Sequence, residues 1–183
     1  MDNESVEQSG QDKGLPVEGP RGCGEFEVGP TMDLLNFVFR HPDPPEIGTD
    51  YGHAYRHANR DNMRIIKVGR QVVAHAGMRY MELRCPRGDL RMGCIGGVCS
   101  HPDYRGRGYA SAVMRDCVSK MHEDGIHVGL LGTGIPDFYR RMGWENAGLR
   151  HRYAVDCGNV ELLPEPRLTR ESGPEVDELP SLC

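Results

Sequence analysis

Two arginines alternate with two glycines at residues 105 to 108, within the stretch HPDYRGRGYAS that begins at residue 101. Arg105 and Arg107 supply positive charge, while Gly106 and Gly108 leave the backbone uncovered. A helical pattern starts directly afterwards, and the first N–H groups of a helix have no partner within it and carry partial positive charge. These residue types in this order indicate an anion site. A pyrophosphate fits because its oxygens can reach backbone N–H groups across the glycines.

Two common phosphate-binding motifs fit this cluster poorly. Walker A requires Gly-Lys-Ser/Thr after the loop, where this chain has Gly108-Tyr109-Ala110. GRGYAS is one glycine short of G-x-G-x-x-G and comes late in the chain, outside a first strand-helix unit. A plain tight turn at the two glycines is the alternative to an anion site. The residue types in this segment do not identify which anion would bind.

Strand-like runs upstream of the cluster predict an antiparallel meander. MRIIKV, QVVAHAGMRYMELRC and LRMGCIGGVCS are separated by short turns that contain glycine,. The last run carries Gly93, Gly96 and Gly97, and three glycines weaken a strand. We expect a β-bulge or a close backbone approach at its end.

A strand-helix-strand unit surrounds the cluster. Apolar residues at helical spacing predict an amphipathic helix over residues 107 to 124, which Gly125 ends,. IHVGLLG then predicts a buried parallel strand, because such units cross over in a right-handed sense. IPDFYRRMG predicts a short helix that starts at Pro136. WENAGLRHRYAVDC predicts one or two closing strands.

The segment before the meander is more irregular. EFEVG predicts a short strand, and PTMDLLNFVFR predicts a helix with Thr31 as its cap,. HPDPPEIGTD predicts a loop because of its prolines, and YGHAYRHANRDN a short helix. The complete order predicts an α/β (α+β) sheet with helices packed on it.

Length and charge predict one domain with acidic tails. The chain has 183 residues and a net charge of −5. Residues 1 to 24 have five acids and two bases (−3), and residues 161 to 183 have six and two (−4), so residues 25 to 160 carry about +2. We expect residues 1 to 24 to be a disordered tail. No basic stripe supports a nucleic-acid partner.

Cysteine and histidine usage predicts a reducing compartment and no metal. The seven cysteines include no C-x-x-C pair,. His53, His57 and His75 suggest a metal cluster, but the i, i+4 pair His53 and His57 is not joined by a third ligand at a telling spacing, so solvated or hydrogen-bonded histidines are favoured. No apolar run is long enough for a membrane span or a secretory signal. We expect a soluble, cytoplasmic protein.

Two motifs of this chain resemble signatures of the GCN5-related N-acetyltransferase (GNAT) superfamily. Arg105-x-x-Gly108-x-Ala110 matches the Q/R-x-x-G-x-G/A motif, and FYRRMGW at residues 138 to 144 is similar to the second signature. The segment GGVCSHPDYRGRGYAS is most similar to the amino-terminal domain of the enhanced-intracellular-survival type of acetyltransferase. The resemblance implies a GNAT fold over residues 25 to 157, with a central mixed, mostly antiparallel sheet, helices on both faces and a splayed strand pair that holds the cofactor. Residues 158 to 183 are then a C-terminal tail or the start of a truncated further domain.

The resemblance also implies where acetyl-CoA would bind. The pantetheine arm would pair with the strand edge, and the pyrophosphate would lie on the loop and helix start. The implied cofactor-binding residues are Val98, Cys99, Ser100, Arg105, Gly106, Arg107, Gly108, Tyr109, Ala110 and Ser111. Tyr139 would protonate the leaving thiolate, and a backbone N–H near Val98 would donate to the oxyanion. Cys99 is interpreted as a small core residue that does not act as a nucleophile.

The resemblance implies direct transfer of an acetyl group to a primary amine, without a metal or a covalent enzyme intermediate. The amine must lose a proton, and Glu82, Asp89, His75 and His101 are candidate bases by residue type alone,. A non-catalytic acyl-CoA-binding module with the same fold is the alternative, and another anion-binding α/β protein is a third reading. Acceptor and oligomeric state stay open.

Overall fold

One five-stranded sheet organises the chain. The computed structural model of the protein describes residues 14–40 and 46–147. The strands follow sequence order across the sheet: β1 Val17–Gly22, β2 Met63–Val68, β3 Gln71–Leu83, β4 Leu90–Ser100 and β5 Val128–Leu131. The first four are antiparallel to their neighbours, and β5 is parallel to β4. This confirms the mixed, mostly antiparallel sheet.

Helices cover both faces of the sheet, as predicted. They are α1 Val28–Phe39, α2 Ile47–Tyr51, α3 Tyr109–Glu123 and α4 Pro136–Arg140. Alternate residues of a strand point to opposite faces, so the sheet has two cores. Val113 and Cys117 of α3 pack in one core with Met78, while Leu35 of α1 packs in the other with Ile65. All five of these side chains are at most 1% exposed.

The predicted disorder of residues 1 to 24 is wrong for residues 17 to 22. These residues form β1, which pairs with β2 through Val17 opposite Val68 and Gly22 opposite Arg64. Val17 is 54% exposed. Backbone pairing with an existing strand edge, with little side-chain burial, supports β1, and composition does not reveal such pairing. Residues 1 to 13 lie outside the described residues.

The strand predicted for EFEVG is also wrong. Glu25–Glu27 form a 3₁₀ turn, and α1 begins at Val28. The carboxylate of Glu27 accepts a hydrogen bond from the backbone N–H of Gly24 at 2.7 Å and turns the chain. Phe26 is 92% exposed. The alternation of polar and apolar residues in EFEVG therefore does not indicate a strand. It accompanies a turn that Glu27 caps locally.

Two neighbouring predictions change at residues 41 to 62. The predicted loop contains the start of α2, where the N–H of buried Ile47 donates to Asn36 Oδ1 at 2.8 Å. The predicted helix at residues 51 to 62 is a turn followed by a 3₁₀ helix, His57–Asn62. Because the cap of α2 comes from a side chain of α1, local sequence did not reveal it. Residues 41 to 45 lie outside the described residues.

The strand-helix-strand unit is confirmed with one difference. Residues Val128–Leu131 pair in parallel with β4, but Val128 and Leu130 are 43% and 47% exposed. The predicted burial of this strand is wrong because, in the described part of the chain, β5 lies at the edge of the sheet. Of the segment predicted to form closing strands, residues 148 to 157 lie outside the described residues, as does the tail at 158 to 183.

Candidate active site

β4 separates from β5 at its carboxyl end. The parallel ladder starts at Met92 opposite Val128 and stops at Ile95 opposite Leu131, whereas β4 continues to Ser100. A strand that loses one neighbour exposes a row of backbone N–H and C=O groups. In the part of the chain that the structure describes, the edge of β4 from residue 96 to residue 100 is therefore open on the side of β5.

A β-bulge accompanies this separation. His75 of β3 opposes Cys99 and Gly77 opposes Gly96, so β4 contributes one more residue than β3 to the same interval. Gly97 adopts a φ of +62°, in the left-handed region that favours glycine,. The bulge that the three glycines predicted is present, and it turns the backbone of β4 next to the open edge.

His75 holds the bulge from inside the sheet. Its side chain is fully buried, and Nδ1 lies 2.8 Å from the carbonyl oxygen of Gly97. A carbonyl only accepts, so Nδ1 carries the hydrogen. Burial lowers the pKa of His75 to about 4, which keeps the ring neutral. The carbonyl of Gly97 and the N–H of Val98 belong to the same trans peptide and point in opposite directions. By holding the carbonyl, His75 therefore also sets the direction of the Val98 N–H.

The glycine loop and the start of α3 form an open cradle. Gly106 and Gly108 have φ values of +76° and +77°, which disfavour other residues,. A Cβ atom at either position would meet nothing within 4 Å. Gly108 caps α3 without a side-chain hydrogen bond, so within the described residues no side chain caps the first N–H groups of the helix. The cradle can accept an anion at the helix start.

A cleft of about 550 Å³ joins the open edge of β4 to this cradle. Every site residue expected from the sequence lines it except Arg107. These lining residues are Val98, Cys99, Ser100, Arg105, Gly106, Gly108, Tyr109, Ala110, Ser111 and Tyr139. The guanidinium of Arg107 instead lies 4.6 Å above the ring of Tyr104 and donates to the carbonyl of Asp103 at 3.3 Å. Phe138 of the second signature adds an apolar wall together with Val38 and Ile135, which the motif analysis did not include.

Tyr139 faces the cleft from α4. It is 8% exposed, and its ring meets Phe138 edge-on at 4.9 Å between centroids. Burial raises the pKa of Tyr139, while a hydrogen bond with Thr133 lowers it less. The phenol therefore keeps its proton at neutral pH and is available as a hydrogen-bond donor or acid.

Cys99 lies in the core, as expected. Its side chain is 6% exposed, and burial raises its pKa to about 12. A thiol in this state is protonated at neutral pH and is a poor nucleophile. The contribution of Cys99 to the cleft is therefore its backbone.

None of the four candidate bases lines the cleft. Glu82 pairs with Arg91 near the far end of the β3–β4 hairpin, about 20 Å along the strand from Val98 at 3.3 Å per residue. Asp89 lies in the turn of that hairpin. His101 stacks on Phe37 at 5.1 Å outside the cleft. His75 is buried, and its lowered pKa makes it a weak base.

A second pocket of about 500 Å³ lies beside Gly96 and Gly97. Aromatic side chains of α1, α2 and the following turn surround it, and the sequence analysis did not identify them. A Cβ atom on Gly97 would lie 2.6 Å from the hydroxyl of Tyr55. Burial raises the pKa of Tyr55 to about 12. The segment YGHAYRH was the available signal, since it concentrates four ring side chains within seven residues. We name this the aromatic pocket.

Metal and membrane features are absent from the described residues. No three His, Cys, Asp or Glu side chains within residues 14–40 and 46–147 are placed to hold a metal ion. Within the same ranges, no helix combines the length and the apolar character that a membrane span requires.

Fold and cleft together define an α/β domain whose sheet splits beside a glycine loop and the start of a helix. The family model of the acetyltransferase (GNAT) domain matches residues 20–147. The chain therefore belongs to the GNAT family of acetyltransferase domains. No curated protein matches its sequence.

Solved structures share this fold at low identity. An acetyltransferase of Trypanosoma brucei is 19% identical with a TM-score of 0.58, covering 77% of this chain and 99% of its own. A predicted acetyltransferase of Clostridium acetobutylicum with acetyl-CoA is 17% identical with a TM-score of 0.61, covering 76% and 96%. A GCN5-related N-acetyltransferase of Anabaena variabilis is 21% identical with a TM-score of 0.58. The match covers 73% of this chain but 32% of the Anabaena protein, so this chain corresponds to about a third of that longer protein.

Proposed function

We propose that the protein is an acetyl-CoA-dependent N-acetyltransferase that transfers the acetyl group directly to a primary amine. One observation carries the proposal: the open edge of β4, the Gly106 and Gly108 cradle and the phenol of Tyr139 line a single cleft. Acetyl-CoA has three parts that match these features. The strand edge would hold the arm with the thioester, the cradle would hold the pyrophosphate, and the phenol would protonate the leaving sulfur. The family assignment supports acetyl transfer as the chemistry.

The cradle and the strand edge supply the cofactor site. The pyrophosphate would accept hydrogen bonds from the first N–H groups of α3 and attract Arg105. The pantetheine arm would pair with the backbone at Val98 and Ser100, where β5 has left the sheet. The arm would then take the place of a strand, and its amides would satisfy the exposed backbone groups.

The transfer step requires an oxyanion donor and an acid. The amine nitrogen attacks the thioester carbon, the carbonyl oxygen becomes an oxyanion, and the C–S bond breaks as the carbonyl re-forms. The N–H of Val98, directed by the bond from His75 to Gly97, would stabilise the oxyanion. Tyr139 would donate its proton to the leaving thiolate, and the proton released by the amine would pass to solvent and later restore the phenol.

Subgroup and location are part of the same proposal. The stretch GGVCSHPDYRGRGYAS supports a place near the amino-terminal domain of the enhanced-intracellular-survival type. The described cysteines are all unpaired, which supports a reducing, cytoplasmic location.

Two measurements on the full chain test this function. Titration calorimetry should show binding of CoA, with ATP and NAD unable to displace it. A thiol-release assay with acetyl-CoA and a panel of primary amines should then show amine-dependent turnover. CoA binding without turnover of any amine would favour the non-catalytic acyl-CoA-binding module. Displacement of CoA by NAD or ATP would contradict both readings.

A further inference from the structure

We propose that the acceptor is a primary amine whose apolar body is about the size of one ring and carries an anionic group such as a carboxylate. Arg79 binds this anionic group in the aromatic pocket. The inference rests on the proposed function for the identity of the pocket as the acceptor site. It names the substrate class that this site selects.

The position of the pocket makes it the entrance for an acceptor. Gly97 lines the aromatic pocket, and Val98, the next residue, lines the cofactor cleft. The two spaces therefore lie next to each other at the peptide between Gly97 and Val98. An amine in the aromatic pocket would reach a thioester held on β4 at this peptide.

The charges of the pocket favour an anionic acceptor. Its described lining contains no Asp or Glu, and its charged side chains are Arg40 and Arg79. Arg40 forms an ion pair with Asp50. Arg79 forms no ion pair within the described part of the chain; it donates to Met81 Sδ at 2.8 Å. A thioether is a weak acceptor, so a carboxylate could replace it at the guanidinium.

The lining of the two spaces also bears on how the amine loses its proton. An acceptor amine must be neutral to attack, and none of the four candidate bases lines either space. An apolar surrounding lowers the pKa of an amine, and the rings of Tyr51 and Tyr55 supply it. The imidazole of His53 also lines the aromatic pocket. The arginines of the pocket would repel a polycation, whereas a carboxylate elsewhere on the acceptor would pair with Arg79.

The spacing sets the size of the acceptor. Arg79 pairs with Cys94 in the β3–β4 ladder, about 13 Å along the strand from Val98 at 3.3 Å per residue. The guanidinium contacts Met81, which pairs with Met92 on the side away from Val98. Turned toward Gly97 when a carboxylate replaces this contact, the arginine side chain would span part of this interval. A ring between the amine and the carboxylate suits the remainder and can pack on the aromatic walls.

A matched pair of acceptors tests the proposal. We would compare para-(aminomethyl)benzoate with para-(aminomethyl)benzamide, which has the same shape and no charge, and include spermidine as a polycation. The readout is kcat/KM in the thiol-release assay with the full chain. The benzoate should be preferred by about tenfold over the benzamide, as one charge-assisted hydrogen bond allows. Arg79→Gln should abolish this preference, whereas Arg87→Gln, in the distant β3–β4 turn, should preserve it.

The outcomes separate the inference from the proposed function. Turnover in which the benzamide or spermidine equals or exceeds the benzoate overturns the anionic acceptor and leaves the acetyltransferase intact. An equal loss for both acceptors in Arg79→Gln also overturns it. Without any turnover the proposed function fails, and calorimetry on the CoA-saturated protein decides about the pocket. Preferential binding of the benzoate that Arg79→Gln removes supports the anion site, and equal binding of the two compounds excludes it.

Discussion

Nδ1 of His75 lies 2.8 Å from the carbonyl oxygen of Gly97 and is the side-chain contact that ties β3 to the bulge of β4. The other ring nitrogen is buried and makes no hydrogen bond within the described part of the chain. An unpaired buried polar atom costs about 1–3 kcal/mol. An aliphatic side chain would avoid that cost, so the imidazole is best explained by its bond to Gly97.

Loss of this bond should impair the transfer step. In His75→Leu the peptide between Gly97 and Val98 loses its anchor, and kcat should fall by about tenfold to a hundredfold. This is less than the roughly hundredfold to thousandfold cost of removing an oxyanion donor, because the N–H of Val98 remains. The KM for acetyl-CoA should change far less. His75→Asn keeps an N–H donor close to the position of Nδ1 and should restore part of kcat. Equal kcat in His75→Leu and wild type, or no recovery in His75→Asn, would contradict this role.

Removal of one hydroxyl should separate acid catalysis from binding. Tyr139→Phe should lower kcat by about a hundredfold, as expected for a general acid, with little change in the KM for acetyl-CoA. Tyr80→Phe is the matched control, because the Tyr80 hydroxyl donates to Asp124 at 2.6 Å and Tyr80 does not line the cleft. Steady-state kinetics of both variants give the comparison. Wild-type turnover by Tyr139→Phe would remove the phenol from the mechanism.

The pH profile should reflect the raised pKa of Tyr139. A group whose pKa is raised keeps its proton to higher pH, and burial raises this pKa above its usual value. Loss of kcat through ionisation of the phenol should therefore occur at higher pH than for an ordinary tyrosine. A fall in kcat near about pH 8 that Tyr139→Phe abolishes would show a lowered pKa instead.

An acidic side chain in the cradle should weaken CoA binding. Gly108→Asp places a carboxylate beside the pyrophosphate and forces a non-glycine residue to a φ of +77°. We expect at least about a tenfold rise in the Kd for CoA, which is about 1.4 kcal/mol. Gly88→Asp is the control for backbone strain, since Gly88 has a φ of +129° in open space in the β3–β4 turn. Unchanged calorimetric affinity in Gly108→Asp would overturn the cofactor site.

Acid should destabilise the fold through Glu27. The carboxylate accepts two hydrogen bonds from Arg21 at 2.7 Å. These bonds, with a smaller contribution from Lys67, outweigh the opposing effect of burial and lower the pKa of Glu27 from 4.5 to about 2. Because the pKa of Glu27 is lower in the folded state than in the unfolded state, this group stabilises the fold at pH values above the unfolded-state pKa. That stability is lost as the pH falls through the folded-state pKa. The window is therefore about pH 4.5 down to about pH 2.

Chemical denaturation across this window provides the measurement. Above about pH 5, Glu27→Gln should reduce the free energy of unfolding by about 2 kcal/mol, less than the full linkage value because the partners are partly solvated. The difference from wild type should shrink as the pH falls. Glu123→Gln, at an exposed position of α3, is the control and should have little effect. A constant difference across the window would argue against this ion pair as the cause.

The sequence by itself determined the elements whose signals are local. The loop at residues 105 to 108 and the following helix are contiguous, and backbone sterics with helix-end polarity act over these few residues. The hairpins follow from short glycine turns, and α3 from its apolar stripe. The second signature located Tyr139. These features were therefore available from the letters, together with the family.

Only the tertiary structure decided the features that depend on distant partners. β1 exists because its backbone pairs with β2, and the turn at Glu27 depends on Arg21 and Lys67. The aromatic pocket assembles Tyr55 and Arg79 from separate elements. The bond from His75 to Gly97 joins residues 22 positions apart. Pairing and burial of this kind arise when the chain closes on itself, because they depend on which surfaces meet and not on local periodicity.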